Sequence, residues 1–300
     1  MQRKLTPQSE PAKTAVHVEP FFDRDTFTIT YVVTDLETRA CAVIDPVLDF
    51  DAAAGRTSHA SADSVIAYIR DQGQRLEWIL ETHAHADHLS AGAYIKSVMG
   101  GKLAIGAHIE DVQKIFAKVF NLKDGFVPDG TQFDVLFKDG DTLAIGGLNG
   151  RVLHTPGHTP ACLTYVMEDT AFVGDTLFMP DYGSARADFP GGDARTLYRS
   201  MRRILALPEH TRIFTCHDYK AEGRVEFAWE STVEEQRKSN VHVRDGISED
   251  EFAAMRTARD KTLGMPRLIL PSIQVNIRAG ASPPVEDNGV SYLKLPLNAL

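Results

Sequence analysis

The sequence predicts a layered α/β domain in which mixed β-sheets carry helices on their outer faces. Three observations point there. Short runs of β-branched and apolar residues occur in hairpin-like pairs, other such runs alternate with segments of helical periodicity, and Gly, Pro, Asn or Asp punctuates the junctions. No internal repeat of 20 to 50 residues is visible.

From Phe27, FTITYVVTD and RACAVIDP flank the polar break DLET and read as two hairpin-linked strands. SADSVIAYIRDQG then has apolar residues at helical spacing, Ser61 or Asp63 as a cap, and Gly73 at its far end. RLEWILETH returns as a strand, and DHLSAGAYIKSVMGG reads as a second helix capped by Ser90 and stopped by Gly100 and Gly101. TLAIGG, GRVLHTPGH, CLTYVMED and TAFVGD are short strands, ARTLYRSMRRILALP is an amphipathic helix, and RIFTCHD is a further strand. GRVEFAWESTVEEQRKSN reads as helical, and SEDEFAAMRTARDKTLG opens with Ser248 and Glu251 at capping-box spacing. Beyond Pro266 the Pro- and Gly-rich tail is expected to hold little regular structure. Residues 1–15 are expected to be a loose leader and 16–300 a single domain.

Bulk properties narrow the function. With 43% hydrophobic residues in 300, the chain can bury an ordinary core. Thirty-two basic against 41 acidic residues leave a charge of -9 with no basic run, which argues against nucleic acid or an anionic membrane as partner and for small-molecule chemistry. Cys41, Cys162 and Cys216 are odd in number and widely spaced, so neither a disulfide framework nor a zinc knuckle is expected. The first twenty residues lack the apolar core of a signal peptide, and no eighteen apolar residues run together, so a cytoplasmic protein is expected.

The chemistry is concentrated in ETHAHADH, where His83, His85, Asp87 and His88 fall within six residues at a strand-to-helix junction. A lone histidine there is usually structural. Three with an aspartate are hard to bury unpaired, and imidazole with carboxylate suits zinc or iron. HTPGHTPA adds His158 in a Gly-Pro turn, FVGDTLF adds Asp175 after an apolar strand, and FTCHDY adds His217 at another strand end. His154 is read as structural, while His17, His59, His108, His210 and His242 are read as surface residues.

In that order, HAHADH, PGHT, GD and CHDY resemble the metallo-β-lactamase superfamily across roughly residues 27 to 240. HTPACLTYV, ARADF, TLYRS, HDY and STVEEQR are most similar to the persulfide (sulfur) dioxygenases, relatives of glyoxalase II. The resemblance implies a four-layered αββα sandwich with mixed sheets, acting as one catalytic domain. It implies one Fe(II) per chain held by His83, His158 and Asp175, and oxidation of glutathione persulfide with O₂ to sulfite and glutathione. Two histidines and a carboxylate on one face of iron leave neighbouring positions open. His85, Asp87, His88 and His217 then orient ligands around the iron or hold a second metal. Arg186 would offer a fork to a glutathione carboxylate, with a structural ion pair as its alternative, and Tyr219 a hydroxyl near the thiol end.

Two rivals stand beside this reading. One is thioester hydrolysis of the glyoxalase II kind on one or two Zn(II), in which all seven ligand-type residues serve. The other is a non-catalytic metal or thiol sensor. Cys162 favours the oxygenase, since glyoxalase II proteins typically carry a further histidine in a GHTxGH pattern, although a buried small hydrophobe is the commoner fate of a lone cysteine. β-Lactamase activity is disfavoured by the absence of an export signal. A homodimer is expected on frequency alone.

Overall fold

The computed structural model describes residues 16–122 and 125–298; the expected leader, 1–15, lies outside them. The chain opens with β1 (Val16–Phe22), β2 (Ile29–Asp35), β3 (Ala40–Ile44), β4 (Val47–Asp51), β5 (Arg56–Ser58), α1 (Ala60–Asp71), β6 (Arg75–Leu80) and β7 (Leu89–Ser90). Next come α2 (Gly92–Met99), β8 (Lys102–Gly106), α3 (Ile109–Val119), β9 (Val135–Phe137), β10 (Thr142–Ile145), β11 (Leu148–His154), β12 (Leu163–Met167) and β13 (Thr170–Phe172). It closes with α4 (Ala194–Ile204), β14 (Arg212–Phe214), β15 (Glu230–Thr232), α5 (Val233–Ser239), α6 (Glu249–Asp260) and α7 (Ile269–Asn276).

Among the described residues the strands form two mixed six-stranded sheets, ordered β1-β2-β3-β6-β8-β9 and β10-β11-β12-β13-β14-β15, and a small β5-β4-β7 sheet. Three apolar clusters show how the large sheets stack. Ile29, Tyr31, Val33, Ala42 and Ile44 of the first sheet meet Val152, Tyr165, Phe172 and Phe214 of the second. The alternate residues Val32, Cys41 and Val43 face away, onto Ile66 and Ile69 of α1, Ile95 of α2, Phe116 of α3 and Ile273 of α7. On the far side, Leu153, Val166, Ala171 and Ile213 pack on Leu197 and Met201 of α4 and Phe252 of α6. Three interfaces separate four layers, an αββα sandwich. Strands apolar on both faces are what layers covered on both sides require.

Three expectations need correction. The span 223–240 is not one helix: its first part is irregular, β15 follows, and only α5 is helical, started by a Thr232–Glu235 capping box. The tail contains α7, because Pro271 falls in its first turn, where a missing N–H costs nothing. Ser61 and Ser90 do not cap α1 and α2 as expected: the caps are His59 and Ala91, and the two hydroxyls go to Asp49 and Glu81. The Ser248–Glu251 box at α6 is present as expected. No described helix is long and apolar enough to cross a membrane.

At Gly157 the backbone adopts φ +133°, and a Cβ there would come within 2.3 Å of the Leu197 backbone. The turn that carries His158 is therefore pressed against α4. Gly157→Ala should destabilise the fold by about 2–4 kcal/mol through overpacking and strain. Gly264→Ala, where a Cβ meets nothing, should be within about 0.5 kcal/mol of wild type. Thermal unfolding of the two variants checks the contrast.

Candidate metal centre

The ligand-type side chains sit on loops at one end of the paired sheets. His83, His85, Asp87 and His88 follow β6 in an irregular loop, His158 lies in the turn between β11 and β12, Asp175 in a short turn after β13, and His217 after β14. His83, His85, His88 and His217 are 0–1% exposed, His158 and Asp175 6–7%, so their polar atoms depend on the protein for partners. The His83 and His85 rings stand 4.1 Å apart, and His83 meets His158 edge-on at 5.1 Å.

One nitrogen of every imidazole is tied down. His158 Nδ1 donates to the Arg186 carbonyl (2.8 Å), His88 Nδ1 to the Leu89 carbonyl (3.1 Å) and His217 Nδ1 to the Phe27 carbonyl (3.3 Å). His83 Nδ1 donates to the Thr82 hydroxyl (3.0 Å), which itself donates to Asp45 Oδ2 (2.9 Å). His85 Nε2 donates to Asp45 Oδ1 (2.9 Å). These tautomers follow from the hydrogen-bond network. The second nitrogens of His83, His85, His88 and His217 are left without a partner, as is Asp175 Oδ1.

The ring nitrogens of His83, His158 and His217 that lack a hydrogen bond face carboxylate oxygens. Asp175 Oδ2 lies 3.9 Å from His83 Nε2 and 3.7 Å from His158 Nε2, while His217 Nε2 stands 3.4 Å from Asp175 Oδ1 and 3.1 Å from Asp87 Oδ2. Lone pairs facing anions in a buried site repel, and a cation between them removes the conflict. Two atoms each about 2.1 Å from one ion stand at most ~4.2 Å apart, so these separations suit a shared metal. Three groups of donors each converge within 4.8 Å, namely His83, His158 and Asp175, then His85, His88, Cys216 and His217, and then Asp45, Glu81 and His85.

Electrostatics agree at His83, His88 and Asp175 but not at His85, where burial lowers but Asp45 and Glu81 hold the ring above its ordinary value. Burial, then the neighbouring imidazoles, push His83 well below its ordinary value, and the same causes lower His88 to about 3, so both imidazoles are neutral at physiological pH. Burial raises the Asp175 carboxyl despite His217 and His158, the mark of a carboxylate lacking its counter-charge.

Three residues that motif reading passes over hold this arrangement. Asp45 is buried at φ +49° and also accepts from Thr82 N (2.7 Å). Burial alone would raise its carboxyl, but His85 and Thr82 outweigh that and lower it. Its signal was available: an aspartate ending an apolar strand, as Asp175 does. Glu81 is the second acid, 3.4 Å from His85 Nε2. Asn276, at the end of α7, donates to the His85 and His88 carbonyls and accepts from Ser90 N, each at 2.8 Å.

A cleft of about 310 Å³ opens beside Asp87, His158 and Asp175, walled by Phe27, Phe178, Tyr182 and Tyr219. Tyr219 stacks on His217 at 5.5 Å and its hydroxyl approaches Asp87 Oδ2 at 3.5 Å. Arg186 lines the cleft, but its guanidinium is bound by Asp188 (2.5 and 2.8 Å) and the Gly264 carbonyl (2.7 Å). Cys162 is buried and pushed up to about 12 by that burial, its sulfur taken by Thr159, so it acts as a small packed hydrophobe. His154 donates to the Pro160 carbonyl, and His242 is buried rather than on the surface, its Nδ1 accepting from Ser184 N.

Residues 24–217 match the family model of the metallo-β-lactamase superfamily. A protein of Burkholderia pseudomallei described as a probable metallo-hydrolase is 57% identical, over 94% of this chain and 99% of its own length. Glyoxylase B2 of Dictyostelium discoideum is 51% identical, over 94% and 97%. The mitochondrial persulfide dioxygenase ETHE1 of Mus musculus is 30% identical, over 94% and 95%. Among solved structures, ETHE1 from Myxococcus xanthus superposes with a TM-score of 0.70 at 27% identity, covering 88% of this chain and all of that one.

Replacing Asp45 by Asn should let the Thr82 hydroxyl turn its proton toward His83, forcing that ring's own proton onto the site side. Asp45→Asn and Asn276→Ala should each lower metal affinity roughly 10- to 100-fold while far-UV circular dichroism is retained. Metal content after dialysis against a weak chelator reads this out; wild-type retention in both would contradict the assigned network.

Proposed function

This chain belongs to the metallo-β-lactamase superfamily, and from that premise we propose that it is a mononuclear non-haem iron dioxygenase converting glutathione persulfide, O₂ and water to glutathione and sulfite. That it is a metal-dependent enzyme is common ground with its relatives. The carrying observation is the convergence of two imidazoles and one carboxylate, His83, His158 and Asp175, in one buried mouth where His83 Nε2 and Asp175 Oδ1 have no hydrogen-bond partner. A relative named as a persulfide dioxygenase supports the same reading.

In this proposal His83, His158 and Asp175 hold the iron, and His85, Asp87, His88 and His217 surround it. Bound there, ferrous iron supplies the redox chemistry and the open coordination positions that O₂ activation needs. The protein's share is positioning. Relays through Thr82, Asp45 and the Arg186 carbonyl lock the ligand rings, so no reorganisation is required when substrate arrives. The Tyr219 hydroxyl, 3.5 Å from Asp87 Oδ2 at the mouth, would donate toward the sulfur end of the substrate. Phe27, Phe178 and Tyr182 line the same wall and limit water there.

The hydrolase reading has an observation of its own. Asp175 turns Oδ2 to His83 and His158 and Oδ1 to His217, as an aspartate shared by two metals does, and more similar relatives are named metallo-hydrolase and glyoxylase. The readings separate on metal count and oxygen. Protein purified without added metal should contain one iron per chain and consume one O₂ per glutathione persulfide. Two zincs per chain, with thioester cleavage and no oxygen uptake, would transfer the assignment to the hydrolase. His83→Ala and Asp175→Ala should each lower turnover at least about 1,000-fold, since iron chemistry has no substitute in the protein.

A further inference from the structure

In a chain of charge -9, one wall of the cleft is basic: Arg186, Arg256, Arg259 and Arg267 all line it. Two of these are already compensated. Arg186 is forked onto Asp188, and buried Arg256 lies 2.6 Å from Asp260 with Nη1 on the Ser184 carbonyl. Arg259 and Arg267 are exposed and make no ion pair or side-chain hydrogen bond among the described residues, and Asp25 on the same mouth reaches neither. Arg259 instead lies over Tyr182, 5.9 Å from the ring centre; Tyr182 meets Tyr219 at 5.7 Å, and Tyr219 stacks on His217. Two aromatic rings thus link the metal mouth to an uncompensated positive rim.

We propose that Arg259 and Arg267 anchor the anionic end of the substrate, which is therefore a thiol or persulfide carrier with carboxylate groups remote from its sulfur. This rests on reading the cleft as a thiol-carrier site, and it moves the carboxylate contact expected at Arg186 to two residues of α6 and the α6–α7 connection. A carboxylate bound there gains charge-assisted hydrogen bonds without breaking an existing pair, whereas at Arg186 it must displace Asp188. The aromatic rings between would cover the carrier's backbone. The span across them disfavours a two-carbon thiol, and about 310 Å³ falls at the lower end of small-molecule pockets, roughly 300–1,000 Å³.

The test is calorimetric binding of glutathione and of glutathione diethyl ester to the metal-loaded protein and to Arg259→Gln, Arg267→Gln and the double variant. Both side chains are exposed and unbonded, so the variants should fold. Wild type should prefer the acid about tenfold or more, each single variant should lose roughly three- to tenfold of affinity for it, and the double variant should bind acid and ester alike. Equal binding of both ligands by wild type, or an undiminished preference in the double variant, overturns the assignment. Oxygen uptake separates this from the reaction assigned above. A raised KM with kcat within about twofold in the double variant supports both ideas. Lost acid preference in a protein that consumes no O₂ with glutathione persulfide removes the oxygenase and leaves the anchor.

Discussion

The structure turns on an electrostatic conflict: in one buried mouth, the ring nitrogens of His83, His158 and His217 that make no hydrogen bond face the carboxylate oxygens of Asp175 and Asp87 at 3.1 to 3.9 Å. Turning the rings over would not relieve it, because their other nitrogens are already committed as donors. Nor can the Asp175 carboxylate leave, since it is buried on a turn after β13. A cation among His83, His158 and Asp175 removes the conflict there, while His217 converges separately with His85, His88 and Cys216. Folding therefore builds a site suited to an ion that the chain does not itself supply.

The four layers make such a site feasible. Two sheets packed face to face bring the ends of β6, β11, β13 and β14 together, so short loops from distant sequence positions deliver their ligands to one edge. The support comes from deeper in the layers. Asp45, after β3, ties His85 and Thr82 together, and Asn276, at the end of α7, stitches the carbonyls of the histidine loop to the outer helical layer. Close backbone approach does the rest: a Cβ on Gly174, at φ +51°, would fall 2.6 Å from the Thr82 hydroxyl that relays His83 to Asp45. Core packing and ligand orientation are one problem in this region.

What could be read in advance follows from how local each signal is. Strands buried on both faces announce themselves as apolar runs, and a dense HxHxDH stretch stands out because burying so many polar groups without purpose is costly. Capping at α6 was legible for the same reason, as Ser248 and Glu251 sit three residues apart. Partners distant in sequence were not. Asn276 lies in a tail beyond Pro266 whose Pro and Gly content suggested irregular chain, although Pro271, in the first helical turn, is harmless. Ser90 looked like a cap but serves Glu81 nine residues earlier. Arg186 carries a motif, yet its charge is taken by Asp188 two residues on, while Arg259 and Arg267, which line the same cleft, carry none.

The cleft thus combines a metal mouth, an aromatic wall and a basic rim in an otherwise acidic molecule, and the first of these governs the other two. X-ray absorption at the metal edge of the loaded protein examines it most directly. The account predicts a shell of light N and O donors with the multiple-scattering pattern of two imidazoles. A metal shell lacking imidazole scattering, or one dominated by sulfur, would contradict it.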